Sequence, residues 1–227
     1  MAAPRSRVSD PTGGASIPGS VIDSLLEALA LKDERRTGWQ LRGVEEPESV
    51  AAHSWGVAYL VVAIGETFES ELPGIDLDAA LRLAVVHDVA EARTGDVPTR
   101  ADPEAAGDLP DEADQEAAER RAMADIAGEL PGPVLEEWEE YERRESPEAT
   151  LVKELDLLDM CLQALHYEST GRYDPTASGP GDPDAFAEYD ALDEFFATAE
   201  PRLRTDTGRG YFDRIRNRYV EARDREE

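Results

Sequence analysis

The sequence predicts an all-α protein with a single domain, and three observations carry that prediction. The segments between turn signals are long, and their apolar residues recur at three- and four-residue spacing. Nowhere does apolar and polar alternation run far enough to propose a strand. The length of 227 residues suits one domain, and an apolar content of 41% suffices to fill its core. Roughly seven helices around one core are expected over residues 18–223, behind a flexible Gly, Pro and Ser-rich tail at 1–17.

The first helix is predicted from about Pro18 to Asp33, with Val21, Ile22, Leu25, Leu26 and Leu29 turned inward. The following LKDERRTGW reads as partly irregular. Pro47 and Ser49 mark the next helix start, after which Val50, His53, Val57, Leu60, Ile64 and Phe68 fall on one inward stripe. A third helix is predicted from an Asp76 N-cap to just before Gly95, a residue suited to a left-handed C′ position. Its LRLAVVHDVAEA segment is almost free of surface-type residues up to His87 and Asp88, which makes the helix central.

Residues 101–115 are acidic and broken by Pro103, Gly107 and Pro110, so they read as a surface loop entering a polar helix near 112–129. Pro133 opens PVLEEWEEYERR, with Trp138 and Tyr141 inward and its acids solvated. Ser146 and Pro147 form an N-cap and N1 pair for a long helix through Glu168. Residues 174–184 form a loop, Asp182 and Pro183 restart a helix to about Glu200, and GYFDRIRNRYVEAR closes the chain.

Composition narrows the partners. Asp and Glu number 51 against 23 Lys and Arg, a net charge of −28, and Lys32 and Lys153 are the only lysines. Such a surface disfavours nucleic-acid polymers, which bind to Lys and Arg, and anionic membranes for the same reason. Acidity with arginine in place of lysine resembles proteins of salt-accumulating organisms. The lone Cys161 excludes an intramolecular disulfide and fits a reducing cytoplasm. Residues 1–17 lack the apolar stretch of a signal peptide, and the longest apolar run, Val57 to Ile64, falls short of the ~20 residues of a membrane span. A soluble cytoplasmic protein is expected.

Polar groups interrupt the apolar helix faces at a few positions. His53 sits on its stripe, His87 and Asp88 lie between Val86 and Val89, and Asp156 lies among Leu155, Leu157 and Leu158. An unpaired buried carboxylate costs several kcal/mol, so two such Asp near two such His call for a common partner, which a divalent cation supplies. The mixed N and O set suits Mn, Fe, Co or Zn better than calcium. Glu91 follows His87 by four residues and Asp88 by three, which places it on their side of the helix, and Asp96 follows Gly95 where the chain can turn back. Carboxylates so placed can orient a water or move its proton. Glu91 also fits a solvated helix surface, and Asp96 an Asx-type turn.

His53, the HD pair and Asp156 occur in an order that resembles the HD-domain metal-dependent phosphohydrolase superfamily. The segments LKDERRTGW, PESVAAHSW, AVVHDVAEARTGDVP, EEYERRESPEATLVKELDLLDM and QALHYE are similar to its 5′-nucleotidase branch, which acts on deoxyribonucleoside monophosphates. The resemblance runs from about residue 25 to residue 170. It implies a helical HD-type domain, often dimeric, and one divalent cation (Mn, Co, Fe, Zn or Mg) on His53, His87, Asp88 and Asp156. It also implies Glu91 and Asp96 as catalytic carboxylates, and Arg36 with Trp39 as the nucleotide-binding segment.

A guanidinium can grip a phosphate and an indole can face a base, although Trp39 fits a core position equally well and Arg35 could replace Arg36. Lys153, three residues before Asp156, joins the substrate-binding candidates. Asp159, at i+3 from Asp156, could accept the ring N–H of a ligand histidine. Glu119 matches a family glutamate but reads as structural, and His166 has no expected role. Other phosphohydrolase substrates (nucleoside triphosphates, cyclic nucleotides or a phosphorylated metabolite) stay open, as does a nucleotide sensor without turnover.

Overall fold

A computed structural model describes residues 19–99, 112–173, 189 and 191–225. The helices among them, in chain order, are α1 (Gly19–Ala28), α2 (Thr37–Leu41), α3 (Val50–Ile64), α4 (Leu77–Val86) and α5 (Glu91–Thr94). After these come α6 (Glu112–Ala127), α7 (Val134–Arg143), α8 (Pro147–Ser169), α9 (Asp193–Ala199) and α10 (Asp206–Arg223). Three short 3₁₀ segments extend α1, α3 and α9, and the described residues contain no strand beyond one antiparallel bridge between Arg35 and Ser49. None of the described helices is long and apolar enough to cross a membrane.

The capping residues act where local chemistry predicts. Ser49 accepts the Ala52 N–H at 3.2 Å, Asp76 accepts those of Asp78 and Ala79 at 3.0 Å, and Ser146 accepts that of Ala149 at 3.1 Å. The same device starts α10, where Thr205 accepts the Gly208 N–H at 2.9 Å.

α8 is the axis of the fold. Leu151, Val152, Leu155, Leu157, Leu158, Cys161 and Ala164 are buried nearly all around it, because α3, α4, α7, α9 and α10 all pack against it. Val57, Val61 and Phe68 come in from α3 and its extension, and Leu83 and Ala84 from α4. A smaller cluster of Val86, Ala90, Met123 and Trp138 fills the space between the end of α4, α6 and α7.

Three expectations are corrected here. The first helix does not bury its apolar stripe: Ile22, Leu25, Leu26 and Leu29 are 47, 49, 60 and 48% exposed, and Ser24 is the buried residue of α1. α1 meets α5 and α6, and its stripe is left without a cover among the described residues. The third predicted helix is interrupted at the HD pair. α4 ends at Val86, and the N–H groups of Val89, Glu91, Ala92 and Arg93 then reach back three residues instead of four. Gly95 follows with φ +75° and ψ 162°, a backbone open to glycine but not the left-handed helical one expected. The proposed tail, most of the acidic loop and the 174–184 loop lie outside the described residues, as does the expected helix restart at Asp182 and Pro183.

Candidate metal centre

Three elements meet at one buried point. α3 contributes His53, the tightened turn after α4 contributes His87 and Asp88, and α8 contributes Asp156. The His87 Nδ1–H donates to the Ala84 carbonyl at 2.9 Å, and the His53 Nδ1–H donates to Asp159 Oδ2 at 2.8 Å. With the protons on Nδ1, both Nε2 atoms turn lone pairs inward.

His53 Nε2 stands 3.1 Å from Asp156 Oδ1 and 3.7 Å from Asp88 Oδ2, and His87 Nε2 stands 3.1 Å from Asp88 Oδ2. Both Nε2 atoms and Asp88 Oδ2 are buried without a hydrogen-bond partner. Orphaned buried donors and acceptors are rare and call for an explanation. Ligating atoms of His53, His87 and Asp88 lie within 4.8 Å of one another, and two imidazoles with carboxylates at that spacing fit a divalent cation.

The carboxylates are poised as anions. Burial would raise Asp88, but His87, His53 and Arg36 outweigh it and hold the carboxyl far below its usual range. Asp156 is likewise held well below, against burial, by Lys153, His53 and His87. Burial and the Arg36 charge work against a proton on His53, yet close contact with Asp156 and Asp159 lifts its pKa to about 10. A cation placed among these groups takes over the role of that proton.

A further layer surrounds them. Arg36 lies with Nη1 3.6 Å from Asp88 and Nε 3.5 Å from Asp96, and despite burial these acids hold its pKa above the ordinary arginine value. Asp96 Oδ2 accepts the Thr37 N–H at 2.6 Å, and the Thr37 hydroxyl donates back to the Asp96 carbonyl at 2.8 Å. Asp96 thus ties α2 to the strap after α5. Glu91 Oε2 is buried without a partner, and burial, joined by Asp88 and Asp96, pushes its carboxyl well up. Lys153 Nζ sits 2.8 Å from Asp156 Oδ2.

Other candidates fall elsewhere. Trp39 is 1% exposed, with Phe195 3.8 Å from its ring centroid and Tyr167 at its edge, so no indole face is open to a base. Its N–H donates to Glu48 at 3.1 Å, which makes it a core residue. Arg35 donates to the Pro47 carbonyl, so Arg36 is the arginine that enters the centre. His166 is exposed, and Glu119 accepts from Gln115 within α6. Two contacts escaped the sequence. Tyr141 donates to Asp156 Oδ2 at 3.3 Å and lays its ring against His87, and the half-buried Glu48 sits behind His53. The apolar register of α7 signalled only that Tyr141 faced inward.

The HD-domain family model matches residues 28–178, about two-thirds of the chain and every residue of the centre. The chain belongs to the HD-domain family. Among relatives of this HD-domain protein, the 5′-deoxynucleotidase HDDC2 of Xenopus laevis is 38% identical over 69% of this chain and 74% of its own length. The human 5′-deoxynucleotidase HDDC2 is 36% identical over 68% of this chain and 73% of its own. In three dimensions the HD-domain chain is similar to the PH0347 protein of Pyrococcus horikoshii, with a TM-score of 0.64 and 33% identity over 88% of this chain and 99% of that one.

Proposed function

We propose that this protein is a metal-dependent phosphomonoesterase that hydrolyses deoxyribonucleoside 5′-monophosphates to nucleoside and orthophosphate. The observation that carries the reading is the convergence of two imidazole lone pairs and two carboxylates on one buried point beside Arg36. The relatives named 5′-deoxynucleotidase supply the substrate class. One divalent cation of Mn, Co, Fe, Zn or Mg, held by His53, His87, Asp88 and Asp156, supplies Lewis acidity that lowers the pKa of water and offsets phosphate charge.

The chain's own groups do the rest. Arg36 takes a phosphate oxygen through its guanidinium, and Asp96 fixes that guanidinium and the start of α2. Lys153, beside Asp156, adds a second positive group. Water attacks phosphorus in line with the departing 5′-oxygen, which takes the proton that Glu91 holds, and the proton released by the water restores Glu91.

Phosphate release from a panel of deoxy- and ribonucleotides tests this. Release from monophosphates that chelator abolishes and Mn or Co restores is the expected result. Binding of nucleotides without turnover of any of them would make the protein a sensor instead.

We also propose a cytoplasmic homodimer. The VAAHSWGVAYLVVAI sequence of α3 carries no acid in a molecule of net charge −28, yet Trp55, Tyr59 and Val62 on its outer face are 70, 56 and 69% exposed. A second copy of the same face is the partner that meets it without charge repulsion.

A further inference from the structure

His53 owes its orientation to a pair of residues on two helices. Asp159, one turn after the ligand Asp156 on α8, takes the His53 Nδ1–H on Oδ2 at 2.8 Å. Its other oxygen, Oδ1, rests on Gly56, which follows His53 by three residues and shares its face of α3. A β-carbon at position 56 would collide with Oδ1 and come within 2.9 Å of Asp159 Cγ. Glycine is a poor residue for the interior of a 15-residue helix, where alanine is favoured. The backbone at Gly56 is ordinary helix and its φ is not positive, so conformational freedom does not explain it. The carboxylate that leans on it does.

We propose that Gly56 and Asp159 form a positioning pair: Gly56 leaves the space in which the Asp159 carboxylate stands, and that carboxylate fixes the His53 ring with Nε2 toward the cation. The pair rests on His53 being a metal ligand. Hydrogen-bonded outer partners of ligand histidines set ring orientation and tautomer, which is why their loss weakens metal binding. Glu48, His53 and Asp159 also lie close enough together to suggest a second cation site. Such a site would require His53 to ligate through both ring nitrogens, with the ring stripped of its proton. A hydrogen bond to Asp159 needs no such step.

The test uses the full chain, stripped of metal and titrated with Co²⁺, read by affinity, stoichiometry and the visible Co²⁺ spectrum. Asp159→Ala is expected to weaken Co²⁺ binding by roughly 10- to 100-fold and to shift the spectrum. Gly56→Ala is expected to weaken it on a similar scale. In the Asp159→Ala background, however, Gly56→Ala should add less than about 2-fold, because the clash is gone and independent sites alone would add. The metal-free double variant should melt no lower than Asp159→Ala, since alanine suits the helix.

Unchanged Co²⁺ affinity and spectrum in Asp159→Ala would overturn the positioning role. An equal penalty for Gly56→Ala in both backgrounds would overturn the pairing. A second equivalent of Co²⁺ that vanishes with Asp159 would replace the pair with a cation site. His53→Asn is the control for the reading beneath: full affinity there would remove His53 from the centre and the pair with it, whereas loss there with Asp159→Ala intact sinks the pair alone.

Discussion

Arg35 and Arg36 are neighbours in sequence with opposite employment, one donating to the Pro47 carbonyl at 2.9 Å and the other lying between Asp88 and Asp96. Arg36→Ala should therefore lower kcat/KM on a deoxynucleotide by roughly 10- to 100-fold, in line with the ~1.5–3 kcal/mol of a hydrogen bond to a charged group. Arg35→Ala should change it less than about 2-fold, and steady-state kinetics on the two variants decides. Glu91 gives a pH signature. Its carboxyl is held up by burial, so it keeps a proton that is lost as pH rises through its titration, and the wild-type rate should fall on the alkaline side. Glu91→Gln should cost ~10²–10⁴-fold in rate and flatten that limb of the profile. The four ligand candidates were legible because each was a polar residue on an apolar face. Trp39 was not, since nothing in RRTGW says whether an indole points to a base or to Phe195, and Glu48 and Tyr141 owe their places to partners distant in sequence.

Helix starts were legible for a local reason, because Ser49, Asp76 and Ser146 satisfy N–H groups two or three residues ahead. The break between α4 and α5 was not. A shift from four-residue to three-residue hydrogen bonds leaves the apolar spacing almost unchanged, and what differs is which polar residues line up. The stripe on α1 shows another limit: periodicity shows that a face is apolar and not what covers it. Ile22, Leu25, Leu26 and Leu29 have no cover among the described residues, and neither have Trp55, Tyr59 and Val62 on α3. Trp55→Glu should convert the proposed dimer to monomers, as read by light scattering, while leaving the helical signal intact. A wild-type protein that is monomeric at high micromolar concentration would end that proposal.

At the scale of the molecule, a charge of −28 spread over 227 residues is self-repulsion that salt relieves. The screening length falls from ~10 Å at 0.1 M to ~3 Å at 1 M salt, so the melting temperature should climb steadily as KCl rises to molar concentration. A melting temperature indifferent to KCl would remove the saline explanation of the acidity and leave the metal centre untouched. The architecture itself was readable because helical periodicity is strong and α8 carries apolar residues on most of its sides.

The two imidazoles are clamped by partners that are not cations, His87 by the Ala84 carbonyl and His53 by Asp159. The consequence is kinetic. Each ring is held by its hydrogen bond once the chain folds, so an arriving ion would meet donors already aimed, without waiting for a helix to move. Uptake should then run at the pace of water exchange on the ion, and stripping the metal should leave the far-ultraviolet helical signal unchanged.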